Sequence, residues 1–469
     1  MKSIKKLAIL LSIIFIAFSC SDEDDIGLFE PFVVAFENLS TNLASFDSQT
    51  TVNLVYSEIA NETGTITINI SETNAVYGED YTTTPEAINN ELVLNISNNE
   101  EQTSFVFNKI SAVIDEEALI QFEITSVDYT NGTIQGNSTF EFNASAGLGG
   151  SLEPSTGGPN QQNQVFVDLS NNKMTIARRD SWELGFYGGD EFRVAINTSV
   201  YMFAAALSST DIDAVTASDT QIVDLQPQMN IGQVGANVYA DDVEGDINKT
   251  AITEISETNA NNPVYLINMG YEVGTGTAEV GSVDISDSAR GWKKIRVLKD
   301  GNDYILQYAD LNDTTHEEVR ISKNAAFNFT FFSIANNQVV DVQPEKDKWD
   351  LGFTVFTNVI AFGAESGAYG FSDFVITNRN GNVSSYAVDT SISSYEDFSM
   401  AEVNTTDFDI KQNIIGSSWR SVFNGGSVNA DIFYILKDTE DNIYKIKFLA
   451  LTNDNGERGY AEFEYELLQ

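Results

Sequence analysis

The stretch Asp180-Ser-Trp-Glu-Leu-Gly-Phe186 returns almost unchanged as Asp347-Lys-Trp-Asp-Leu-Gly-Phe353, in a chain that has four tryptophans. Successive side chains of a β-strand point to opposite faces, so the Trp, Leu and Phe of each copy are predicted to share one face. We interpret both triplets as buried core residues and expect the acidic residue between them, Glu183 or Asp350, to face the other way. The repetition indicates that the chain contains a duplicated β unit.

The surroundings of the two copies repeat as well. Phe166 precedes the first tryptophan, Phe332 precedes the second, and an Asn-Asn turn follows each phenylalanine. Further along, the segment 297–309 is echoed by 435–448. Both are predicted hairpins, because a turn rich in Asp, Asn or Gly separates two alternating strands. The order is therefore tryptophan phrase, hairpin, tryptophan phrase, hairpin.

This order predicts two copies of one β unit, at residues 164–330 and 331–469. The first copy is about 29 residues longer between its tryptophan phrase and its hairpin. The sequence leaves open whether the two units form one domain or two.

The region before the duplicated units has the same β character. Short alternating runs such as 65–70, 92–96 and 120–124 are separated by Asn-rich turns. This spacing predicts an antiparallel β-sandwich over residues 30–145. The stretch 146–163 is rich in Gly, Pro, Asn and Gln and is predicted to be a linker. The predicted fold class is therefore all-β.

The N-terminus has the pattern of a bacterial lipoprotein signal, predicted at residues 1–20. Three lysines precede an apolar run over 7–18, and the single cysteine of the chain, Cys20, follows it. The run is too short to span a bilayer, which needs ~20 apolar residues. The alternative interpretation is an ordinary secretory signal that contains an incidental cysteine.

Cys20 is predicted to be lipidated after cleavage and to anchor the chain in the outer membrane. The acidic stretch 21–29 is predicted to be a tether and resembles the signal that sends some lipoproteins to the cell surface. Its alternative interpretation is a solvated spacer without an export role. Once Cys20 is used, the chain has no cysteine for a disulfide, a thiolate metal site or thiol catalysis.

The charge of the chain excludes one class of partner. The formal net charge is −44, and removal of Lys2, Lys5 and Lys6 with the signal leaves −47. Such a field repels nucleic acid, so binding to polyanions is not expected. At 42% hydrophobic residues the chain has enough apolar surface to form packed cores.

Motifs of catalysis are missing from the sequence. It contains no Gly-x-Ser-x-Gly, no His-Glu-x-x-His, no P-loop and no dinucleotide-binding fingerprint. A Ser-His-Asp triad would have to use His316, the single histidine. We therefore expect a protein that is not an enzyme, although pairs of carboxylates are too numerous for the sequence to exclude a glycosidase.

The N-terminal region resembles a Calx-β domain. The resemblance rests on Gly78-Glu-Asp-Tyr-Thr82, the strand 92–96, the segment 99–107 and Ile114-Asp-Glu-Glu117. Domains of this family often bind Ca²⁺ through loop carboxylates, since a hard cation prefers several oxygen ligands. The alternative is an acidic loop that is only solvated. The candidate calcium ligands are Asp80, Asp115 and Glu116.

The second unit resembles the HmuY family of haem-binding surface lipoproteins, and the first unit resembles it more weakly. The matching segments are Phe331-Phe-Ser-Ile334, Lys348-Trp-Asp-Leu-Gly-Phe-Thr354, Gly363-Ala-Glu-Ser-Gly-Ala-Tyr-Gly370, the hairpin at 432–448 and the closing strand Gly459-Tyr-Ala-Glu-Phe-Glu-Tyr465. The resemblance implies an all-β fold with haem held between loops at one end. It also implies a role in iron acquisition without catalysis, with an outer-membrane receptor as a further partner.

The sequence departs from the family at the haem ligands. Haem-binding members use a pair of His or of Met, whereas this chain has one histidine, so a bis-His site within the chain is impossible. The loop after Trp419 has no donor where the family places one. Met400 lies where the resemblance puts a ligand loop. The alternative for each methionine is apolar packing, and for the histidine a solvated turn. The candidate ligands are Met400, Met269 and His316, with a tyrosine as the remaining alternative.

Haem propionates would need cations, which are scarce in this acidic chain. Two basic clusters are the candidates, although both could equally be solvated strand edges. They consist of Arg178, Arg179, Lys293, Lys294 and Arg296.

Two functional hypotheses follow from these observations. The first is a surface lipoprotein that captures haem. The second is a non-haem binding or scaffold lipoprotein that uses the same β framework to recognise a glycan, a peptide or a partner receptor. The missing histidines favour the second, and the tryptophan and hairpin phrases do not discriminate, because they specify the fold.

Overall fold

The computed structural model describes residues 31–37, 40–43, 46, 48–110, 118–134, 137–143, 149–423, 426–453 and 455–468. The predicted signal peptide with Cys20 and the predicted acidic tether lie outside the described residues, as do Asp115 and Glu116. The regular structure of the described residues is dominated by strands, which confirms the predicted all-β class.

The N-terminal region is a sandwich of two five-stranded sheets. Its strands are β1 (Phe32–Phe36), β2 (Ser40–Asn42), β3 (Gln49–Tyr56), β4 (Gly64–Thr73), β5 (Tyr81–Thr84), β6 (Glu91–Ile96), β7 (Gln102–Lys109), β8 (Leu119–Asp128), β9 (Gly132–Ile134) and β10 (Thr139–Asn143). The sheet orders are β5-β7-β3-β1-β9 and β2-β10-β8-β4-β6. The alternating isoleucines Ile66, Ile68 and Ile70 are buried in the core between the sheets, as predicted.

Two edge pairings of this sandwich are parallel. β9 pairs with β1 in one sheet, and β2 pairs with β10 in the other, while the remaining neighbours are antiparallel. The chain crosses from one sheet to the other between β1 and β2, and again between β9 and β10. The two crossing segments run side by side in the same direction, so both of their pairings must be parallel.

The described residues from 149 onward form twenty strands and a few short helices. The first ten strands are β11 (Gly149–Leu152), β12 (Asn163–Asp168), β13 (Lys173–Arg178), β14 (Leu184–Tyr187), β15 (Val194–Ile196), β16 (Phe203–Ala206), β17 (Val264–Asn268), β18 (Trp292–Asp300), β19 (Asp303–Asp310) and β20 (Glu317–Ser322). The other ten are β21 (Phe329–Ser333), β22 (Gln338–Val340), β23 (Leu351–Phe362), β24 (Glu365–Thr377), β25 (Ser384–Asp389), β26 (Arg420–Ser421), β27 (Ser427–Val428), β28 (Ile432–Lys437), β29 (Ile443–Thr452) and β30 (Arg458–Leu467).

The described part of this region has one α-helix, α1 (Thr220–Leu225). The 3₁₀ turns are Gly158–Asn160, Thr198–Val200, Ala236–Tyr239, Ile247–Lys249, Asn259–Asn261, Arg379–Gly381 and Met400–Glu402. The predicted hairpins form as β18–β19 and β28–β29, which confirms both.

The strands build two further sandwiches. In the first, the sheet β15-β14-β21-β22 shares a core with the sheet β16-β17-β18-β19-β20. In the second, the sheet β13-β12-β23-β24 shares a core with the sheet β11-β30-β29-β28-β25. Leu184 and Phe186 are buried in the first core, and Leu351 and Phe353 are buried in the second.

The two sequence copies exchange their first hairpins. The hairpin β12–β13 comes from the first copy, but β12 pairs with β23 of the second tryptophan phrase. The hairpin β21–β22 comes from the second copy, but β21 pairs with β14 of the first tryptophan phrase. Each sandwich therefore contains strands from both copies, so the copies at 164–330 and 331–469 are units of sequence and not separate units of structure.

The tryptophans do not share a face with the other two members of their triplets. Trp182 and Trp349 are buried in a separate cluster between the sandwiches, together with Phe166 and Phe331. The prediction of burial is right and the prediction of a common face is wrong, because the strands begin only at Leu184 and Leu351, after each tryptophan. Phe331 and not Phe332 is the counterpart of Phe166, since Phe332 points to the opposite face and enters a sandwich core.

The segment predicted as a linker contributes a strand to the second sandwich. Gly149–Leu152 forms β11 and pairs antiparallel with β30 near the C-terminus. A Cβ at Gly149 would lie 2.6 Å from the carbonyl oxygen of Tyr465, so glycine is required by this close approach. Gly149 and Gly150, two of the glycines that suggested a flexible linker, are therefore part of a strand.

Candidate functional site

The acidic residue of each tryptophan phrase is buried and holds the exchanged hairpin. Glu183 accepts a hydrogen bond from the backbone N–H of Ile334 at 2.6 Å, and Asp350 accepts one from Leu169 at 2.8 Å. Leu169 and Ile334 occupy equivalent places, just before the Asn-Asn turns. Both acids are buried, and each binds the backbone of the hairpin that the other copy supplies. The presence of an acidic residue at this position in both copies is the feature of the sequence that could have indicated this role.

The two acids differ in their charged neighbours. Glu183 forms a buried ion pair with Arg290. Asp350 lies near the carboxylates of Asp168 and Asp438, and burial together with these charges raises its pKa to about 8. Among the described residues, a cation pairs with the acid of the first copy and none pairs with the acid of the second.

A buried asparagine also holds each tryptophan phrase, by hydrogen bonds to backbone carbonyls. Asn197 donates hydrogen bonds to the carbonyl oxygens of Arg179 and Trp182, at 2.7 and 2.8 Å. Asn378 donates to those of Lys346 and Trp349, at 2.8 and 2.9 Å. The asparagines were not identified from the sequence, because they lie at different distances from their tryptophans.

The first predicted propionate cluster is divided between surface and interior. Arg178 is exposed and forms an ion pair with Asp180 at 2.8 Å. Arg179 is buried and donates to the carbonyl oxygens of Gln161, Ser199 and Ile285. Burial lowers the pKa of the Arg179 guanidinium to about 10. This arginine acts as an internal cross-link of backbone carbonyls.

The second predicted cluster lies along β18, and its members already have partners. Lys293 forms an ion pair with Asp310 at 2.7 Å. Lys294 is buried and donates to the carbonyl oxygens of Val215 and Asp313, both at 2.7 Å. The remaining member, Arg296, donates to the carbonyls of two loop asparagines, Asn259 and Asn262. The structure does not bring the two clusters together around one cleft.

Two of the predicted haem ligands are poorly placed to meet a ligand. Met269 is buried in the core of the first sandwich. His316 is half-buried, and its Nδ1 lies 2.9 Å from a carboxylate oxygen of Asp213. The histidine is therefore part of an acidic loop, as its sequence context suggested.

Met400 is exposed and is one of the residues that line a surface cleft. Its side chain is 41% accessible, and it begins a 3₁₀ turn capped reciprocally by Ser399 and Glu402. The cleft has a volume of about 790 Å³. We call it the Met400 cleft, and its walls are the segments Tyr395–Met400, Gly149–Ser151 and Glu464–Leu468 with Lys445.

The walls of the Met400 cleft are mixed in character. Tyr395 and Phe398 are buried beneath its surface, where both pack edge-on against Phe433. Lys445 is the cation that lines the cleft, and it donates to the carbonyl oxygens of Tyr395 and Phe398 and pairs with Glu466 at 3.0 Å. Three other carboxylates line the cleft: Glu396, Asp397 and Glu464. None of the five predicted propionate cations is among its lining residues.

Of the three predicted calcium ligands, Asp80 lies within the described residues. The carboxylate of Asp80 accepts a hydrogen bond from the backbone N–H of Val76 at 2.9 Å and so closes a turn. Asp115 and Glu116 lie outside the described residues. In the described part of the chain, no three His, Cys, Asp or Glu side chains are grouped to hold a metal ion. Calcium binding stays a prediction.

The family model described as HmuY protein matches residues 160–314 and again residues 325–465, more than half of the chain. The chain belongs to the HmuY family. The two matches agree with the duplication inferred from the tryptophan phrases. A comparison with the sequences of curated proteins finds no match.

Solved structures similar to this HmuY-family chain include an apo HmuY analogue from Tannerella forsythia, at 10% identity and a TM-score of 0.18. That match covers 68% of this chain and 95% of the analogue. The apo form of the Calx CBD1 domain matches at 11% identity and a TM-score of 0.20, covering 24% of this chain and 97% of that domain. None of the helices in the described ranges has the length and apolarity needed to cross a bilayer.

The haem-iron donor types among the described residues that line the Met400 cleft are one exposed thioether, Met400, and two buried phenols, Tyr395 and Tyr465, so the residues fit a single accessible thioether ligand. Met400 is accessible, Met269 is in a core, and His316 is bound to Asp213 elsewhere. Among the described residues that line the Met400 cleft there is no histidine and no second methionine. Lys445 is the residue there that could meet a propionate.

Proposed function

We propose that this HmuY-family chain is a lipid-anchored protein of the outer membrane, exposed at the cell surface, that captures haem for iron acquisition without catalysis. The observation that carries the proposal is that the exposed residue Met400 lines a cleft of about 790 Å³. Family membership and the lipoprotein-like N-terminus support it. An outer-membrane receptor that accepts the ligand is part of the same proposal.

In this proposal Met400 supplies the axial ligand, and Lys445 meets a propionate by releasing Glu466. Haem bound in this way would contribute its iron as cargo, and this chain contributes only binding groups. A thioether is a soft ligand that prefers reduced iron. Ion pairs with Lys447 partly offset the wall carboxylates Glu396 and Glu464. Together with Asp397 they still oppose the propionates, so the affinity is expected to be modest.

Titration of the chain without its signal with haemin, under oxidising and reducing conditions, tests the proposal. We expect a sharpened Soret band that is stronger after reduction. Met400→Ala is expected to weaken ferrous haem binding at least about tenfold. His316→Ala is the matched control and should leave the spectrum unchanged, because His316 is bound to Asp213 away from the cleft. Equal spectra for wild type and Met400→Ala would contradict ligation by Met400.

The second candidate function is binding of a non-haem ligand, such as a glycan, a peptide or a receptor, on the same framework. The absence of a second His or Met among the described lining residues of the Met400 cleft favours it, as do the carboxylates of its walls. An unchanged haemin spectrum at micromolar concentration, with a normally folded protein, would select this candidate over the first.

A further inference from the structure

A second cavity lies between the two C-terminal sandwiches, and we call it the exchange cavity. Its volume is about 120 Å³. Its walls include Gln164 of β12, Phe329 of β21 and Phe356 of β23, so both exchanged hairpins contribute. An apolar protein cavity of about 150 Å³ accommodates benzene, so this space suits a small organic molecule.

Three aromatic side chains face this space, namely Trp182, Phe329 and Phe356. The indole Nε1 of Trp182 donates to the side-chain oxygen of Gln164 at 3.1 Å, so the polar atom of the ring is already satisfied. The three rings therefore line the space with aromatic carbon, and the indole adds no free donor. Ring faces attract cations through the quadrupole of the aromatic system.

The polar groups of the exchange cavity are acceptors and anions. Asp241, Asp242 and Asp246 contribute carboxylates from the longer insertion of the first copy. The side-chain oxygen of Gln343 is buried there without a hydrogen-bond partner in the described structure. No Lys, Arg or His is among the described lining residues. A ligand that satisfies these groups must carry positive charge or donate hydrogen bonds.

The carboxylate of Asp241 is held in place by the backbone. Its two oxygens accept hydrogen bonds from the N–H groups of Ile196 and Ala251, both at 2.8 Å. Each oxygen keeps a lone pair for a further donor. Because the described residues contain no three-carboxylate group able to hold a metal ion, a metal cation is not the favoured occupant.

We propose that the exchange cavity binds a small organic cation, an amine or a quaternary ammonium head group of about five non-hydrogen atoms, between its aromatic walls and Asp241. The aromatic side chains surround the charged group, Asp241 balances its charge, and Gln343 accepts a hydrogen bond from any donor that the ligand carries. This site is separate from the Met400 cleft, and neither proposal depends on the other.

Calorimetric titration with choline tests the site, with the neutral isostere 3,3-dimethylbutan-1-ol as the matched ligand. Choline is expected to bind at least about tenfold more tightly than the alcohol, which has the same shape without the charge. A protein of net charge −44 attracts cations in general. For this reason the titration is repeated at high salt, where attraction to surface carboxylates is screened but binding in a buried cavity persists.

Substitutions locate the binding. Asp241→Asn is expected to weaken choline binding at least about tenfold, and Gln343→Leu, which keeps the wall but removes the acceptor, to change it less than about threefold. Asp310→Asn removes an equal charge from the ion pair with Lys293 and is expected to have no effect.

Affinity should also rise from pH 6 to pH 8 in the wild type. Burial raises the pKa of Asp241 to about 7, so the carboxylate ionises across this range. The charged neighbour that acts on Asp241 is Asp242, and Asp246, which also lines the cavity, is itself balanced by Lys249 and Arg379.

Failure of choline and tetramethylammonium to bind the wild type at ~10 mM would overturn the proposal, as would equal affinity for choline and the neutral alcohol. Both readouts use the unmodified protein, so they hold even if Asp241→Asn does not fold. Equal losses in Asp241→Asn and Asp310→Asn would show general charge attraction and would also overturn it.

Discussion

The ring of Phe166 lies edge-on to the indole of Trp349, with ring centroids 5.1 Å apart and an interplanar angle of 74°. The equivalent pair makes the same contact: Phe331 lies edge-on to Trp182, with ring centroids 4.7 Å apart. In both pairs the phenylalanine comes from one sequence copy and the tryptophan from the other. Each tryptophan phrase therefore packs against a hairpin that the other sequence copy supplies.

Replacement of either tryptophan should destabilise both sandwiches. Trp349→Ala and Trp182→Ala are each expected to lower the free energy of unfolding by ~3–5 kcal/mol, because each removes a large buried side chain. Urea or thermal unfolding measures the loss. Phe423→Ala is the control, since Phe423 is 77% exposed, and it should change stability by less than about 0.5 kcal/mol. Tryptophan variants that unfold like the wild type would refute this account of the core.

The buried carboxyl of Asp350 should make stability depend on pH. Burial raises its pKa from 3.8 to about 8, so between these values the folded state holds a proton that the unfolded state has lost. Its contribution to stability is complete below the unfolded value and is lost as pH rises through the folded one. Between pH 5 and pH 8 the free energy of unfolding should therefore fall by up to about 1.4 kcal/mol per pH unit from this group.

Asp350→Asn removes the titrating group and keeps an acceptor for the N–H of Leu169. Unfolding measured at several pH values should show a smaller decrease with pH in this variant than in the wild type. Asp224→Asn, a change at an exposed aspartate on α1, should keep the wild-type slope. Identical slopes in all three proteins would mean that Asp350 is ionised in the folded state.

Cys20 decides the anchoring of the chain if the lipoprotein prediction is right. Cys20→Ala should leave the precursor without lipid and move the protein from the membrane fraction to the soluble or secreted fraction. Fractionation followed by immunoblotting measures the change, and Ser19→Ala is a neighbouring control that keeps the cysteine. An unchanged membrane fraction for Cys20→Ala would make the cysteine incidental.

Local patterns were sufficient to predict the fold class, the duplication and the two hairpins. Alternation with period two, as in Ile66, Ile68 and Ile70, is a property of a few neighbouring residues and is visible without tertiary contacts. The sequence also excludes haem ligation by two histidines of the same chain, because the chain has one histidine. The sequence also placed Met400 in a loop between the tryptophan phrase and the last hairpin, where the structure exposes its thioether.

The exchange of hairpins, the buried acids and the partners of the cations were decided by the tertiary structure. The two copies are so similar that either hairpin has the residues to pack on either tryptophan phrase, and the sequence contains no local signal for the choice. Arg179 and Lys294 likewise resemble surface cations in the sequence. Both are buried, and they donate hydrogen bonds to backbone carbonyls that are distant in the chain. Such contacts join residues far apart in the chain, so their energies depend on how the whole chain packs and not on any local pattern.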